Sequence, residues 1–370
     1  MASVKKILAI VVLIQCATLS ESSRMLEKKK KKTDGNTFNV ISFGAVGDGV
    51  EDDSKGFKDA WNAACGSSAS SPMIDGNIIA PSEPSAWERK RNCHHWIGFK
   101  NFDGLFIQGS GTINGHGSKW WKLSCKDKNK GCHFRKPTGF MIANSKNVEI
   151  KGLTFEDSPK MHIAFENSIS IHATDLTIKA PGNSPNTDGI HIQRSTNVTI
   201  DKTIIQTGDD CISIGPDTKN TLILETSNVV QVMESALAAL ELSDMNVEFV
   251  HGGHGYARNV KFERITSYAS ARPIVIDQFY CPHKQCKNQT SGVEISNVSY
   301  EEIHGTSHKE IAVQLSCSES TPCKNITMKN INLKNEDQND NTLSYCHNAH
   351  GLRNGRVYPN VSCLRYDDSF

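Results

Sequence analysis

The strongest constraint on this chain is a repeat of short β-rich runs set in sequence rich in Asn, Asp, Gly and Ser. Val148-Glu-Ile, Ile169-Ser-Ile, Val198-Thr-Ile, Leu222-Ile-Leu, Val260-Lys-Phe, Val293-Glu-Ile and Ile326-Thr-Met recur at intervals of 21 to 38 residues. Short strands at such a period mark a solenoid of stacked coils. One coil cannot bury its own interior face, so stacking supplies the stability. The expected fold class is all-β: a single parallel β-helix, with strands that line up in long parallel sheets. The length of 370 residues alone would favour about two domains, and the repeat replaces that with one solenoid.

The N-terminal third frames the solenoid. Residues 39–65 read as a strand, a Gly-rich turn and a helix, with Ser54–Cys65 as an amphipathic cap. Gly44, Gly47 and Gly49 do not make a phosphate loop, because no Gly-Lys-Ser/Thr follows. Before this, Lys5 and Lys6 precede an apolar run at 7–13 and small polar residues at 20–23. That is the pattern of a secretory signal peptide, too short to span a bilayer. The expected boundaries are a signal peptide at 1–22, a basic linker at 23–36, the solenoid at 37–363 and a tail at 364–370. The lysine run at 28–32 reads as solvated linker.

Charge and cysteines refine the class. The 41 Lys+Arg and 40 Asp+Glu residues leave a net charge of +1, so no global field draws the chain to nucleic acid or an anionic membrane. Five Asn-x-Ser/Thr sequons, at Asn197, Asn288, Asn297, Asn325 and Asn360, suit a secreted glycoprotein. Of 12 cysteines, Cys16 leaves with the signal peptide. The rest enter an oxidising compartment as an odd number, which leaves one thiol unpaired. No nucleic-acid partner and no membrane span are expected, and the chain should act as a monomer.

The repeat also places the chemistry. Asp188-Gly-Ile-His-Ile can be laid over Asp210-Cys-Ile-Ser-Ile, 22 residues later and about one coil on. Neighbouring parallel strands lie about 4.8 Å apart, so Asp188 and Asp210 should stack, with Asp209 beside them at the turn. Three carboxylates this close repel, and at least one should hold its proton more tightly. Glycoside hydrolysis needs such a set: a carboxylic acid for the leaving oxygen, and carboxylate on the other side. The bland alternatives are Asp-Gly turns or a calcium site.

These residues carry a resemblance. Asn186-Thr-Asp-Gly-Ile-His and Thr207-Gly-Asp-Asp-Cys-Ile-Ser-Ile-Gly215 resemble the signature of plant polygalacturonases, glycoside hydrolase family 28. So do Phe38-Asn-Val, Gly44-Ala-Val-Gly-Asp-Gly, Asp52-Asp53, Trp120-Trp121, Ser158-Pro159, Ile276-Asp-Gln-Phe-Tyr-Cys281 and the segment around Cys317 and Cys323. The resemblance implies a right-handed parallel β-helix that hydrolyses α-1,4 links in polygalacturonate (pectin) with inversion. It implies Asp209 as general acid, and Asp188 and Asp210 as the pair that activates water. No cofactor or metal is implied.

The sequence also departs from that family. A Gly-His-Gly on the next coil, and an Arg-Ile-Lys one coil later that holds the substrate carboxylate, are missing from their places. Gly253-His254-Gly255 is no substitute, since it lies 44 residues past Asp210, about two coils on. Where the motif belongs, residues 229–241 read as a helical-looking stretch, in conflict with the solenoid. Codons for 229–241 can be chosen that, read one base earlier, give Cys-Gly-Pro-Gly-His-Gly-Ile-Ser-Ile-Gly-Ser-Ile-Gly. The same shift over 247–252 can give Arg-Ile-Arg-Thr-Trp. We therefore expect residues 229–252 to be a frameshifted translation, with about one coil absent. The competing reading is a true amphipathic insertion. A second gap falls near Pro72–Met73, where the family has further strands and a Gly-Pro-Cys. Cys65 is expected to have lost its partner there, and Cys211 to be left free and buried.

The functional expectation is a secreted cell-wall hydrolase that keeps its three acids but has lost substrate-binding groups, and is impaired. A non-catalytic pectin-binding β-helix or a defective gene product is the rival. A pectate lyase, which eliminates with calcium and an arginine base, is a second.

Overall fold

A computed structural model describes residues 38–65, 71–87, 94–123, 136–226, 254–279, 292–337 and 342–367. It adds, as backbone only, 6–8, 12–15, 227–229 and 236–237. Among the described residues the strands pair in parallel throughout and form two sheets. The smaller one takes one strand per coil, in the order Val12–Gln15, His95–Lys100, Thr138–Ala143, Ile163–Glu166, Ile190–Gln193, Ile212–Ile214, Ala236–Leu237, Ile274–Asp277, Ile311–Ser316 and Leu343–His347. The larger sheet takes the rest of each coil. The expected parallel β-helix is the fold.

Alternation builds the core. In the smaller sheet Ile142, Phe165, Ile192 and Ile214 are successive rungs of one interior column. In the larger sheet Ile107, Ile150, Ala173, Ile200, Ile223, Phe262, Tyr300 and Met328 form another. All are buried. The Phe262 and Tyr300 rings stack with centroids 5.0 Å apart. Each fully buried isoleucine contributes on the order of 1.5–3 kcal/mol, and only because a neighbouring coil covers it.

The turns need left-handed backbone, and asparagine supplies it. Asn197, Asn220, Asn259, Asn297 and Asn325 all have φ between 55° and 58°. Their side-chain amides form a ladder, each Nδ2 donating to the preceding Oδ1 at 2.7–3.0 Å. Three sequon asparagines, Asn197, Asn297 and Asn325, belong to this ladder and are exposed. Asn360 is exposed too, and Asn288 lies outside the described residues.

Several expectations are corrected. Ser54–Cys65 is the capping helix as expected. The strand before it, however, is Asp48–Asp52, while Val40–Phe43 is a 3-10 turn whose Asn39 side chain accepts from Ile41 N–H. In the Gly-rich turn, Val46 and Gly47 N–H donate to the Asp53 carboxylate at 2.6 and 3.1 Å. Cys65 is not orphaned, because it is disulfide-bonded. Cys317–Cys323 and Cys346–Cys363 are bonded as well, and Cys211 is free and buried, as expected.

The pairing near the two places where gaps are expected is as follows. After the helix ends at Cys65, the next strand is Asn77–Ile79. The rungs between Asp48–Asp52 and Asn77–Ile79, and before His95–Lys100, are filled from the N-terminal segment: Lys6–Leu8 pairs with the first two, and Val12–Gln15 with the last. At the second gap, Ala236–Leu237 is the single rung between Ile212–Ile214 and Ile274–Asp277. In the larger sheet Thr218–Leu224 pairs directly with Tyr256–Ser270.

Candidate active site

The site forms where two turns of successive coils meet ahead of the smaller sheet. Ile190 lies opposite Ile212 and His191 opposite Ser213, so the 22-residue register read from the sequence is the register of the sheet. Gly189 N–H donates to Asp210 O at 2.8 Å, and Ile190 N–H to Cys211 O at 3.0 Å. These bonds carry the pairing back into the turns and bring the Asp188 turn against the Asp209–Asp210 turn.

Gly189 and Gly208 make this approach possible. A Cβ on Gly189 would lie 2.5 Å from Cys211 O, and one on Gly208 would lie 2.3 Å from Ser184 O. Gly208 N–H donates to Thr187 Oγ1 at 3.1 Å, and Thr187 is in turn hydrogen-bonded to Ser184. Asn186 N–H donates to Asp209 Oδ2 and Asp210 N–H to Asp209 Oδ1, both at 3.0 Å. Asp209 is thus the clasp between the two turns, and it is half-buried. Asp188 and Asp210 are buried.

The electrostatics centre on Cys211. Burial first, then the charges of Asp210, Asp188 and Asp209, push its thiol up to about 12. The same three carboxylates that the repeat brings to these turns thus act on the thiol beside them.

Sequence reading missed the supports of Asp188. Ser213 Oγ donates to Asp188 Oδ2 at 2.8 Å, and His191 Nδ1 lies 2.8 Å from Ser213 Oγ. The signal was present in the aligned motifs: His191 and Ser213 fill the same outward place between inward isoleucines. His162 is the other support. Its Nε2 accepts from Ser158 N–H at 3.3 Å, and its Nδ1 faces Asp188 O at 3.0 Å as the donor. Burial pushes it down to about 4, so it is a neutral anchor for the backbone of Asp188.

The Gly253-His254-Gly255 motif stays outside the site. His254 is exposed, and Gly255 packs against Asp217, in the turn at the other end of strand Ile212–Ile214 from Asp210. The residues around 232 and 247–252, where the missing motifs were sought, lie outside the described residues. Further along the smaller sheet, Arg272 precedes strand Ile274–Asp277 and hydrogen-bonds Gln314 on the next rung.

Carboxylates gathered on successive turns of a parallel β-helix are the kind of set that glycoside hydrolysis uses. The chain belongs to Glycosyl hydrolases family 28, whose sequence profile matches residues 59–230 and 229–363. The profile breaks into two pieces at residues 229–230, where the sequence pattern fails. A probable polygalacturonase of Arabidopsis thaliana is 33% identical over 403 residues, covering 95% of this chain and 90% of that one. The alignment is longer than this chain, so the relative carries segments that this chain lacks. A polygalacturonase of Persea americana is 35% identical over 364 residues, covering 85% and 77%. Among solved structures, a polygalacturonase from Erwinia carotovora superposes with a TM-score of 0.55 at 22% identity, over 74% of this chain and 87% of that chain. An endo-xylogalacturonan hydrolase from Aspergillus tubingensis gives 0.59 at 18%, over 75% and 82%. The chain is a glycosidase of the polygalacturonase type. Neither a lyase nor a non-catalytic binding protein is favoured. Among the described residues no helix is long and apolar enough to cross a membrane.

Proposed function

We propose that this chain is a secreted, monomeric hydrolase of α-1,4-galacturonosyl links in pectin, that it inverts the anomeric centre, and that it works slowly. One observation carries the reading: the sheet register that stacks Asp188 on Asp210 with Asp209 clasped between their turns.

In this reading Asp209 gives its proton to the glycosidic oxygen, and Asp188 with Asp210 draws a proton from the attacking water on the other side of the sugar ring. Both Asp209 oxygens accept a backbone N–H here, so proton delivery requires one of those contacts to open. Substrate binding at the turns is the event that would open it.

The slow rate follows from what is missing. The galacturonate unit is an anion, and its transition state gains from cations fixed beside it. The family's Arg-Ile-Lys and Gly-His-Gly have no in-frame counterpart, and the smaller sheet has one rung between Ile212–Ile214 and Ile274–Asp277. Absent positioning cations cost on the order of several kcal/mol of transition-state binding. The nucleotide sequence over residues 229–252 tests the frameshift itself. Codons that cannot be read as the family motif one base earlier would remove that explanation.

The functional test is reducing-end release from polygalacturonate, assayed beside an intact plant polygalacturonase. Release at least about a hundredfold slower is expected, from the size of the missing electrostatic contribution. A matching rate would refute the impairment, and unsaturated products would refute hydrolysis.

A further inference from the structure

We infer that His191 and Ser213 are positioning residues for Asp188, acting as one hydrogen-bonded chain. The inference rests on the proposed role of Asp188 as a water-activating carboxylate, and it adds two residues to that site.

The geometry fixes the direction of the chain. Ser213 Oγ lies 2.8 Å from Asp188 Oδ2 and 2.8 Å from His191 Nδ1. A serine hydroxyl has one proton. Facing a carboxylate, it donates that proton and has only lone pairs left for the imidazole. His191 Nδ1 must therefore carry hydrogen, and the chain runs from His191 Nδ1–H to Ser213 Oγ–H to Asp188 Oδ2. All three residues are buried, at 3%, 1% and 8% exposure.

The fold explains why the chain exists. Ile190 and Ile192 point into the core, as do Ile212 and Ile214. Alternation then puts His191 and Ser213 on the opposite face, and register puts them side by side. Asp188 comes two residues before Ile190, in the turn that feeds the strand. A hydroxyl bond to an ionised acceptor is stronger than a neutral one, and a second donor behind it polarises it further. The chain occupies Oδ2 and holds the carboxylate in one rotamer. Misplacing a reacting group by about 1 Å can cost about a hundredfold in rate, so a carboxylate fixed in place matters more than the modest binding energy of the bond that fixes it.

Two readouts on the intact chain test this. The first is the ring-nitrogen NMR spectrum of His191. The parent should show hydrogen on Nδ1. Ser213→Ala should lose that preference, and Ser213→Thr, which keeps the hydroxyl, should retain it. The second is the kinetics of polygalacturonate hydrolysis. Ser213→Ala should lower kcat by about ten- to a hundredfold with KM nearly unchanged, and Ser213→Thr should recover most of the loss. Hydrogen on Nε2 alone in the parent, an unchanged spectrum in Ser213→Ala, or a Ser213→Ala variant that melts earlier yet keeps its kcat would overturn the inference. A parent without hydrolysis would count against the proposed function, and the tautomer would still decide whether the chain exists.

Discussion

Gly189→Ala tests whether close coil contact builds the site. Gly189 sits between Asp188 and the first isoleucine of its strand. Its φ is not among the left-handed values, so the requirement is space rather than backbone conformation. An added Cβ would lie 2.5 Å from Cys211 O and 2.5 Å from Ile205 Cγ2, well inside van der Waals contact. Neither is the loose end of a flexible side chain. Relief requires the Asp188 turn to lift off the Asp210 turn, which strains the 2.8 Å and 3.0 Å backbone bonds from Gly189 and Ile190. Two weakened buried hydrogen bonds cost about 1 kcal/mol each, and overpacking adds about 1–3 kcal/mol. The smaller entropy of the unfolded alanine chain returns about 0.4–1 kcal/mol. The net is a loss of about 2–4 kcal/mol, which for a chain of this size is a Tm drop of roughly 3–5 °C. Circular dichroism melting measures it. A Gly189→Ala protein that melts with the parent would mean the two turns are not in tight contact, and the placement of the carboxylates would fall with it.

Three more outcomes follow from the structure. Cys211, pushed up to about 12 by burial and three carboxylates, should resist iodoacetamide near neutral pH in the folded chain and react once it is unfolded; its neutral-thiol stabilisation should fade as pH rises from about 9 toward 12, and fast native alkylation would contradict its burial. His162 and His95 are each pushed down to about 4, chiefly by burial, from an ordinary 6.5; the unfolded chain binds protons first, so stability should fall as pH drops from 6.5 toward 4, and a His162→Gln curve with the parent's full slope would refute that assignment. Asn259→Ala removes both ladder bonds at Asn259, each 2.9 Å, and puts alanine at φ 55°; a loss of about 1–3 kcal/mol is expected by denaturant unfolding, with Asn259→Gly closer to the parent, and equal stability of Asn259→Ala and parent would count against the ladder.

The repeat made the solenoid legible, but not its full register. Val148, Val198, Val260 and Ile326 are paired column members. Ile171 rather than Ile169 pairs with Val148, and Thr221 rather than Leu222 pairs with Val198. Val298, not Val293, continues the column. A three-residue run is too short to fix its register, and the turns that decide it depend on asparagines in left-handed backbone. The aspartate motifs escaped this ambiguity because the Asp and the two isoleucines that follow it match in only one register. The supports of Asp188 were harder to see. His191 and Ser213 look like ordinary outward residues until the register makes them neighbours, and His162 acts through backbone groups that carry no residue signature. Cys65 misled because partner loss was inferred from a motif gap, whereas bonding depends on which sulfur the folded chain brings near.

The central claim is that Asp209, clasped between two coils, is the proton donor of a hydrolase that still turns over. Reducing-end release from polygalacturonate, measured for the parent and for Asp209→Asn, tests it most directly. The account predicts slow release by the parent, with no unsaturated product, and none above background for Asp209→Asn at unchanged Tm. Equal release by the two proteins would contradict it.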